Sequence, residues 1–234
     1  MPKPTARIDT KALAKHKKRF LRFFPNAFRD ERYLAWEHDY KWRSHLLWKE
    51  LLGKEEYDRL LLRGDFNEIA NRALRVEQKT VPPFLFSFEK MALRDALKTD
   101  SGARLFSESL YNLLHGRGDL RSRFIEYIVA FADLPRKQSR VLSWPNLTFF
   151  PFIAQPTKHI IMKPSAMKYA AAELKWDLEY SSTPTFNTYK RLLDLADTVG
   201  DAIAELKPRN YHDLQTFLYV IGSTEYDQLE DQTL

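Results

Sequence analysis

Apolar residues recur at helical spacing along most of this chain, and this period limits the folds that the chain can adopt. At least seven segments show it, whereas no run of alternating apolar and polar residues is long enough to build a sheet. The sequence therefore predicts a mainly α, multi-helix globular fold. The predicted helices cover residues 30–52, 55–63, 65–77, 88–98, 101–115, 119–133, 165–174, 185–206 and 210–221, with Asp30, Asp65 and Asp119 as N-caps. In the helix at 88–98, the spacing predicts an inward face of Phe88, Met91, Ala92 and Leu97.

From Leu134 to Ala172 the chain has thirty-nine residues without one Asp or Glu, although 31 acids in 234 residues would place about five there. The segment keeps six Lys or Arg residues, one His and several aromatic residues, which are more typical of a core than of a base-stacking platform. A surface with cations and no carboxylates suits a polyanion, because a carboxylate would repel phosphate. The five prolines of the segment predict short helices joined by tight turns, an irregular Pro-rich basic segment.

Charge divides the chain into blocks. Residues 1–24 carry eight Lys or Arg residues and one acid, residues 25–133 are balanced, and residues 176–234 carry four cations against eleven acids. We predict a basic N-terminal arm or helix over 1–24 and a helical subdomain over 25–133. A second helical subdomain, over 134–234, would contain the basic segment and the acidic C-terminal end. That acidic end either leaves the basic blocks exposed or neutralises one of them within the fold.

Composition excludes several kinds of site. The absence of cysteine rules out disulfides, thiolate metal sites and a cysteine nucleophile. The six histidines are scattered and none pairs with another at ligand spacing, so we expect no metal. No nucleotide-loop, dinucleotide or hydrolase motif occurs, and we expect no cofactor. The chain shows neither an apolar leader nor a run of eighteen apolar residues, so we expect a cytoplasmic protein that does not cross a membrane.

Four segments of the C-terminal half follow one another in a recognisable order. Leu134-Pro135 is followed by the apolar, Pro-containing stretch 149–162, by a predicted helix, and finally by DLQTFLYVIG at 213–222. This order resembles the helix-hairpin-helix DNA glycosylase superfamily. In that family a hairpin opening with Leu-Pro precedes the catalytic stretch, and the terminal helix ends in an aromatic residue and a glycine. The resemblance implies a helical DNA-binding protein that excises modified or damaged bases.

The chain departs from that family at the functional positions. The sequence LPRKQS at 134–139 lacks the hairpin glycines whose backbone amides approach a phosphate, and Lys163 stands where the family has its catalytic Asp. A lysine cannot stabilise an oxocarbenium-like sugar as a carboxylate does. Some family members use a lysine that forms a Schiff base, but theirs belongs to the hairpin. No catalytic group is therefore transferred by the resemblance.

The residues themselves indicate a candidate site. Lys163 lies between the apolar triplet Ile160–Met162 and a helix expected to begin near Ser165, whose N-terminal amides favour an anion. We take Lys163 as the candidate catalytic residue, and we take Glu89, Asp95, Asp177 and Glu179 as carboxylates that could line its site. The predicted nucleic-acid contacts are Lys15, Lys17, Lys18, Arg19, Arg136, Lys137, Arg140, Lys158, His159 and Lys168.

DNA binding, with base excision as its sharpest form, is the leading hypothesis. One alternative is a protein-interaction or regulatory module that binds an acidic partner without catalysis. Another is an enzyme whose anionic small substrate is clamped by Lys163 and Arg140. The sequence leaves the oligomeric state open.

Overall fold

The computed structural model describes residues 7–231, and every regular element in this range is a helix, which confirms the mainly α prediction. The first six and the last three residues, which belong to the predicted arm and acidic end, lie outside the described residues. The helices are α1 (Thr10–Phe23), α2 (Glu31–Tyr33), α3 (Asp39–Leu52), α4 (Lys54–Arg63), α5 (Phe66–Lys79), α6 (Ser87–Leu97), α7 (Asp100–His115), α8 (Leu120–Ala132), α9 (Trp144–Ala154), α10 (Pro164–Glu173), α11 (Phe186–Ala202), α12 (Tyr211–Gly222) and α13 (Thr224–Asp231). Two short 3₁₀ helices lie at Ala27–Arg29 and Ala204–Leu206.

Acidic residues begin three helices where the sequence predicts. Asp30 accepts a hydrogen bond from the Arg32 backbone N–H at 3.0 Å, and Asp119 accepts one from the Ser122 backbone N–H at 3.0 Å. Asp65 occupies the N-cap position of α5 without a side-chain bond there. The single helix predicted over 30–52 is divided, because a π-helical turn at Leu34–His38 separates α2 from α3.

The described chain folds into two compact units that are discontinuous in sequence. Unit 1 consists of the residues up to Asp39, Met162–Ser181 and the residues from Asn187 onward, and unit 2 consists of Tyr40–Ile161 and Ser182–Phe186. This division does not coincide with the boundaries predicted after residues 24 and 133. The reason is packing, since α1 packs with α12 from the other end of the chain, and α9 packs with α6 and α7.

Unit 1 is built around the fully buried ring of Phe20 on α1. Its centroid lies 5.2 Å from those of Phe24 and Phe217 and 5.0 Å from that of Phe28. Phe217 belongs to α12, which also packs along α10. Aromatic pairs in this distance range stabilise a core beyond their buried area. The predicted basic arm is therefore, from Thr10 onward, a helix docked by its aromatic side.

A buried carboxylate is neutralised within the same unit. Asp213 on α12 is inaccessible to solvent. It accepts hydrogen bonds from the Tyr33 hydroxyl at 2.5 Å, from Arg209 Nε at 2.9 Å and from the Arg209 backbone N–H at 2.8 Å. A buried charge is costly unless it is paired and hydrogen-bonded, and here it is both. Burial, reinforced by Asp213, raises the pKa of Tyr33 well above 10, so its hydroxyl remains a donor.

Unit 2 packs around α7 and α9. Every residue of α9 from Trp144 to Ile153 is buried, and Phe150 lies 5.1 Å, centroid to centroid, from Phe106 of α7. A helix that is apolar around its whole circumference belongs in a core. Trp144 and the three phenylalanines of the acid-free segment are therefore core residues and do not form a surface platform with its cations, whereas Tyr169, on α10, is 55% exposed.

The inward face predicted for α6 is wrong at two of its four positions. Ala92 and Leu97 are buried as expected, but Phe88 and Met91 are 58% and 53% exposed. The buried side of the helix also contains Leu93, which the prediction omitted. Apolar residues occur on two sides of this helix, and their spacing alone does not tell which side is covered.

Replacing Gly222 by alanine should destabilise unit 1. A Cβ at this position would lie 1.9 Å from the Ala166 carbonyl oxygen, so the backbones of α10 and α12 would have to separate. We expect a loss of about 1–3 kcal/mol in the free energy of unfolding. Gly200→Ala in α11 is the matched control, because its Cβ would meet the end of the Leu214 side chain at 3.3 Å. Equal urea midpoints for the two variants would contradict the close approach of α10 and α12.

Candidate nucleic-acid interface

One face of α1 carries a row of exposed cations. The burial of Leu13 and Phe20 turns the opposite side of the helix outward. The exposed cations follow one another at steps of four, three and four residues, which places them within about 60° of the helix circumference. They also line a shallow surface concavity. We call them the α1 stripe: Lys11, Lys15, Lys18 and Arg22.

A second set of α1 cations is paired with the acidic end of the chain. Lys17 Nζ lies 2.7 Å from Glu205 Oε1, and an Arg19 guanidinium nitrogen lies 2.5 Å from Asp227 Oδ1. The Arg19 side chain is 11% exposed. The acidic end thus neutralises part of the basic block. Of the four arm residues predicted to contact nucleic acid, Lys15 and Lys18 lie on the stripe, whereas Lys17 and Arg19 form these ion pairs.

Glu173, at the C-terminal end of α10, reaches the edge of the stripe. Its Oε2 lies 3.0 Å from His16 Nε2 and 3.8 Å from Lys15 Nζ. Burial lowers the pKa of His16, although Glu173 acts in the opposite direction, so His16 is neutral at neutral pH. The Lys15 side chain is 73% exposed, and ion pairs of this kind contribute little stability. Lys15 can therefore turn to an external anion at small cost.

Unit 2 carries a separate basic surface between α8 and α9. Arg136, Lys137 and Arg140 are exposed there. We call the segment that contains them, residues 133–143, the basic loop. Arg136 and Arg140 line a concavity together with the buried residues Leu134 and Val141. The Arg136 Nε donates to the backbone carbonyl of Gln138 at 3.0 Å. Guanidinium groups beside apolar side chains suit a planar anionic ligand.

The remaining predicted contacts are divided between surface and core. Lys158 and Lys168 are exposed, and the Lys168 ammonium lies 4.8 Å from the centroid of the Tyr180 ring. His159 is 2% exposed and does not belong to a binding surface. Burial, together with neighbouring Arg123 and Lys158, lowers the pKa of His159 to about 3. An inaccessible, uncharged imidazole cannot contact phosphate, so His159 is removed from the predicted contacts.

Lys163 lies at the junction that the sequence indicates. It is half-buried at the N-cap position of α10, and the preceding triplet Ile160–Met162 is fully buried. The Lys163 carbonyl accepts a hydrogen bond from the Met167 backbone N–H at 2.9 Å.

Two candidate carboxylates, Asp177 and Glu179, are exposed residues of unit 1, which also contains Lys163. The other two belong to unit 2, where Asp95 is half-buried on α6. Glu89 is buried and accepts a hydrogen bond from the Ser143 hydroxyl at 2.9 Å, which gives it a structural role.

Sequence reasoning missed Lys11 and Arg22 of the α1 stripe. It selected cations by their crowding at 15–19, whereas the surface is defined by helical spacing. Positions 11, 15, 18 and 22 share one face, and this spacing could have identified them.

Among residues 7–231, no three His, Asp or Glu side chains are placed together so that they could hold a metal ion. Each helix in the same range is too short or too polar to cross a bilayer.

Replacing His159 by glutamine should weaken the dependence of stability on pH. The pKa of His159 is about 3 in the fold and near 6.5 in the unfolded chain. As the pH falls below 6.5, the His159 imidazole is protonated in the unfolded chain but stays neutral in the fold, so the free energy of unfolding decreases. The variant should therefore lose less stability between pH 6.5 and 4, by up to about 1.4 kcal/mol per pH unit. Urea unfolding across this range measures it, and identical slopes for variant and wild type would contradict the buried, neutral imidazole.

Comparison of the chain with protein-family models, curated proteins and solved structures found no match.

Proposed function

We propose that this protein binds nucleic acid, with duplex DNA as the primary partner, through the α1 stripe. The observation that supports the proposal is the exposure of four cations on one helix face. The stripe spans about 16 Å at the helical rise of 1.5 Å per residue. A duplex presents about ten phosphate charges over that length, so the stripe and the polyanion match in scale.

The pairing on the flank of α1 supports this proposal. Asp227 and Glu205 neutralise the cations beside the stripe and leave Lys11 and Lys18 exposed. The acidic end therefore stabilises the docked helix without covering its outward face. Displacing small counterions from such a face is the main source of sequence-independent binding to DNA.

The alternative partner is an acidic protein segment, which the same cations would attract. Such a segment lacks the fixed spacing of phosphates along a duplex. When duplex DNA and polyglutamate are compared at equal concentrations of negative charge, we expect the duplex to bind more tightly. Tighter binding of polyglutamate would favour an interaction module.

Neutralising the α1 stripe should weaken DNA binding and flatten its dependence on salt. We expect Lys11→Gln, Lys15→Gln, Lys18→Gln and Arg22→Gln together to lower the slope of log K against log salt. The decrease should be about 0.9 for each cation that contacts a phosphate. Fluorescence anisotropy with a labelled duplex at several salt concentrations measures this slope.

The matched control removes four exposed cations from helices of unit 2, each of which is paired with an acid: Lys54→Gln, Arg59→Gln, Arg63→Gln and Arg104→Gln. Both variants have the same change in net charge, so a loss that depends on total charge would affect them equally. Equal affinities of the two variants for the labelled duplex would therefore contradict the assignment of DNA binding to the α1 stripe. A large fall in the melting temperature of the stripe variant would show that these cations serve the fold.

We also propose that Lys163 contacts the bound anion. Its place at the start of α10 puts a cation beside backbone N–H groups, which favours a negative charge. The other end of α10 lies about 15 Å away, where Glu173 contacts His16 of α1. A nucleic acid seated on the stripe could reach both positions. Base excision is the more specific form of this proposal. The lone pair of Lys163 Nζ attacks C1′ of the sugar, the C1′–N bond to the base breaks, and the base leaves with the bonding electrons and takes up a proton. Cleavage of the C1′–O4′ bond then opens the sugar ring and gives the Schiff base between Nζ and C1′.

Lys163→Ala should lower the affinity for DNA while the fold is retained. Lys168→Ala, an exposed lysine of the same helix, is the control for loss of one charge. Borohydride treatment with DNA that contains an abasic site then separates contact from catalysis. Trapping by wild type but not by Lys163→Ala would assign a nucleophile, whereas weaker binding without trapping assigns a contact. Unchanged affinity and no trapping would remove Lys163 from the site.

A further inference from the structure

Two exposed phenylalanines stack on each other at the start of α6. Phe86 and Phe88 are 61% and 58% exposed, whereas every other phenylalanine among residues 7–231 is buried or half-buried. Their ring centroids are 5.8 Å apart and their planes differ by 10°. Val81 and Met91, 65% and 53% exposed, add further apolar surface from the same part of the chain. An exposed apolar patch of this kind is a candidate binding surface.

Hydrogen bonds through Glu89 link the end of the basic loop to the helical turn that carries this aromatic pair. The buried carboxylate of Glu89 accepts hydrogen bonds from the Phe86 backbone N–H at 3.0 Å and from the Ser143 hydroxyl at 2.9 Å. The side-chain amide of Asn146 donates to the Glu89 carbonyl at 3.3 Å and to the Val141 carbonyl at 2.9 Å. The end of the basic loop is thereby fixed against the first turn of α6.

The segment beside the aromatic pair has a net positive charge, as a polyanion requires. The basic loop contains three cations and one acid, Asp133, at its first position. Glu89 is buried in the hydrogen bonds described above, and Glu77 is buried with its carboxylate 3.3 Å from Lys90 Nζ. These two acids are thus neutralised or satisfied beneath the surface, while the cations Arg136 and Arg140 face solvent.

We infer that Phe86 and Phe88, with the basic loop, form a binding site for single-stranded nucleic acid. Unpaired bases stack on the two rings, and Arg136, Lys137 and Arg140 contact the phosphates that connect those bases. Aromatic rings beside a positively charged groove are the general means by which proteins hold single strands without reading their sequence. A duplex cannot use the rings, because its bases are already stacked on one another. This inference rests on the proposed nucleic-acid binding, but it concerns unit 2 and a different form of the ligand.

The test measures binding of a fluorescein-labelled oligothymidylate of about twelve nucleotides, a length within the range held by small single-strand sites. The combined variant Phe86→Leu and Phe88→Leu keeps apolar side chains but removes the ring faces. We expect its affinity for the oligonucleotide to fall at least about fivefold, with the salt slope unchanged. Phe86→Tyr with Phe88→Tyr restores flat rings and should keep the affinity of wild type. Leu62→Ala, at an 89% exposed position of the same unit, is the control for loss of an exposed apolar side chain.

Two further measurements separate stacking from charge. Arg136→Gln with Arg140→Gln should reduce the salt slope for the oligonucleotide, unlike the leucine variant. An oligonucleotide that carries 5-iodouracil should crosslink under light to Phe86 or Phe88, as located by mass spectrometry. This inference would be overturned if the leucine variant bound the single strand as tightly as wild type. The proposed function would remain intact in that case, provided that duplex binding depended on the α1 stripe. Absence of binding to both forms of nucleic acid would overturn both.

Discussion

The burial of Phe20 is the constraint on which unit 1 and its proposed surface depend. Its ring is enclosed by Phe24, Phe28 and Phe217, so α1 has one rotation about its own axis that keeps this side chain in the core. That rotation decides the position of every other residue of the helix. Lys17 and Arg19 then meet carboxylates, and the α1 stripe meets solvent. The basic face is thus a consequence of apolar packing on the opposite side.

The uneven charge of the chain has two different structural outcomes. Helical geometry divides the cations of α1 into an exposed stripe and a flank whose Lys17 and Arg19 pair with acids from the C-terminal end. Lys15 of the stripe also lies 3.8 Å from Glu173 of α10. In the acid-free segment, by contrast, the exposed cations of the basic loop precede the buried helix α9, and most of the connection from α9 to α10 is buried. Here the lack of carboxylates reflects the core role of α9 as much as the basic loop, because a buried carboxylate is costly unless it is paired or hydrogen-bonded.

The helical period and the capping residues were enough to predict most of the helices, and the buried triplet Ile160–Met162 was also foreseen. The sequence did not predict α13, and for the region of α9 it predicted only short helices joined by tight turns. It was harder to predict which side of each helix is buried and which is exposed. A count of nearby charges could not show that Arg19 would pair with Asp227, more than two hundred residues away. Nor could it show that His159 would lie in the core. Helix α6 has apolar residues on two sides, and the side that is buried depends on neighbouring helices that are distant in sequence.

The two proposed surfaces recognise different properties of a nucleic acid, and their energetics differ for that reason. Binding at the α1 stripe would come from the release of counterions, which weakens steeply as salt rises and carries no information about the bases. Stacking on Phe86 and Phe88 would depend instead on flat, unpaired bases and would change little with salt. An acidic protein shares the charge of a nucleic acid but lacks such bases. In the proposed binding mode, the exposed aromatic pair would therefore distinguish nucleic acid from acidic protein, since charge alone attracts both.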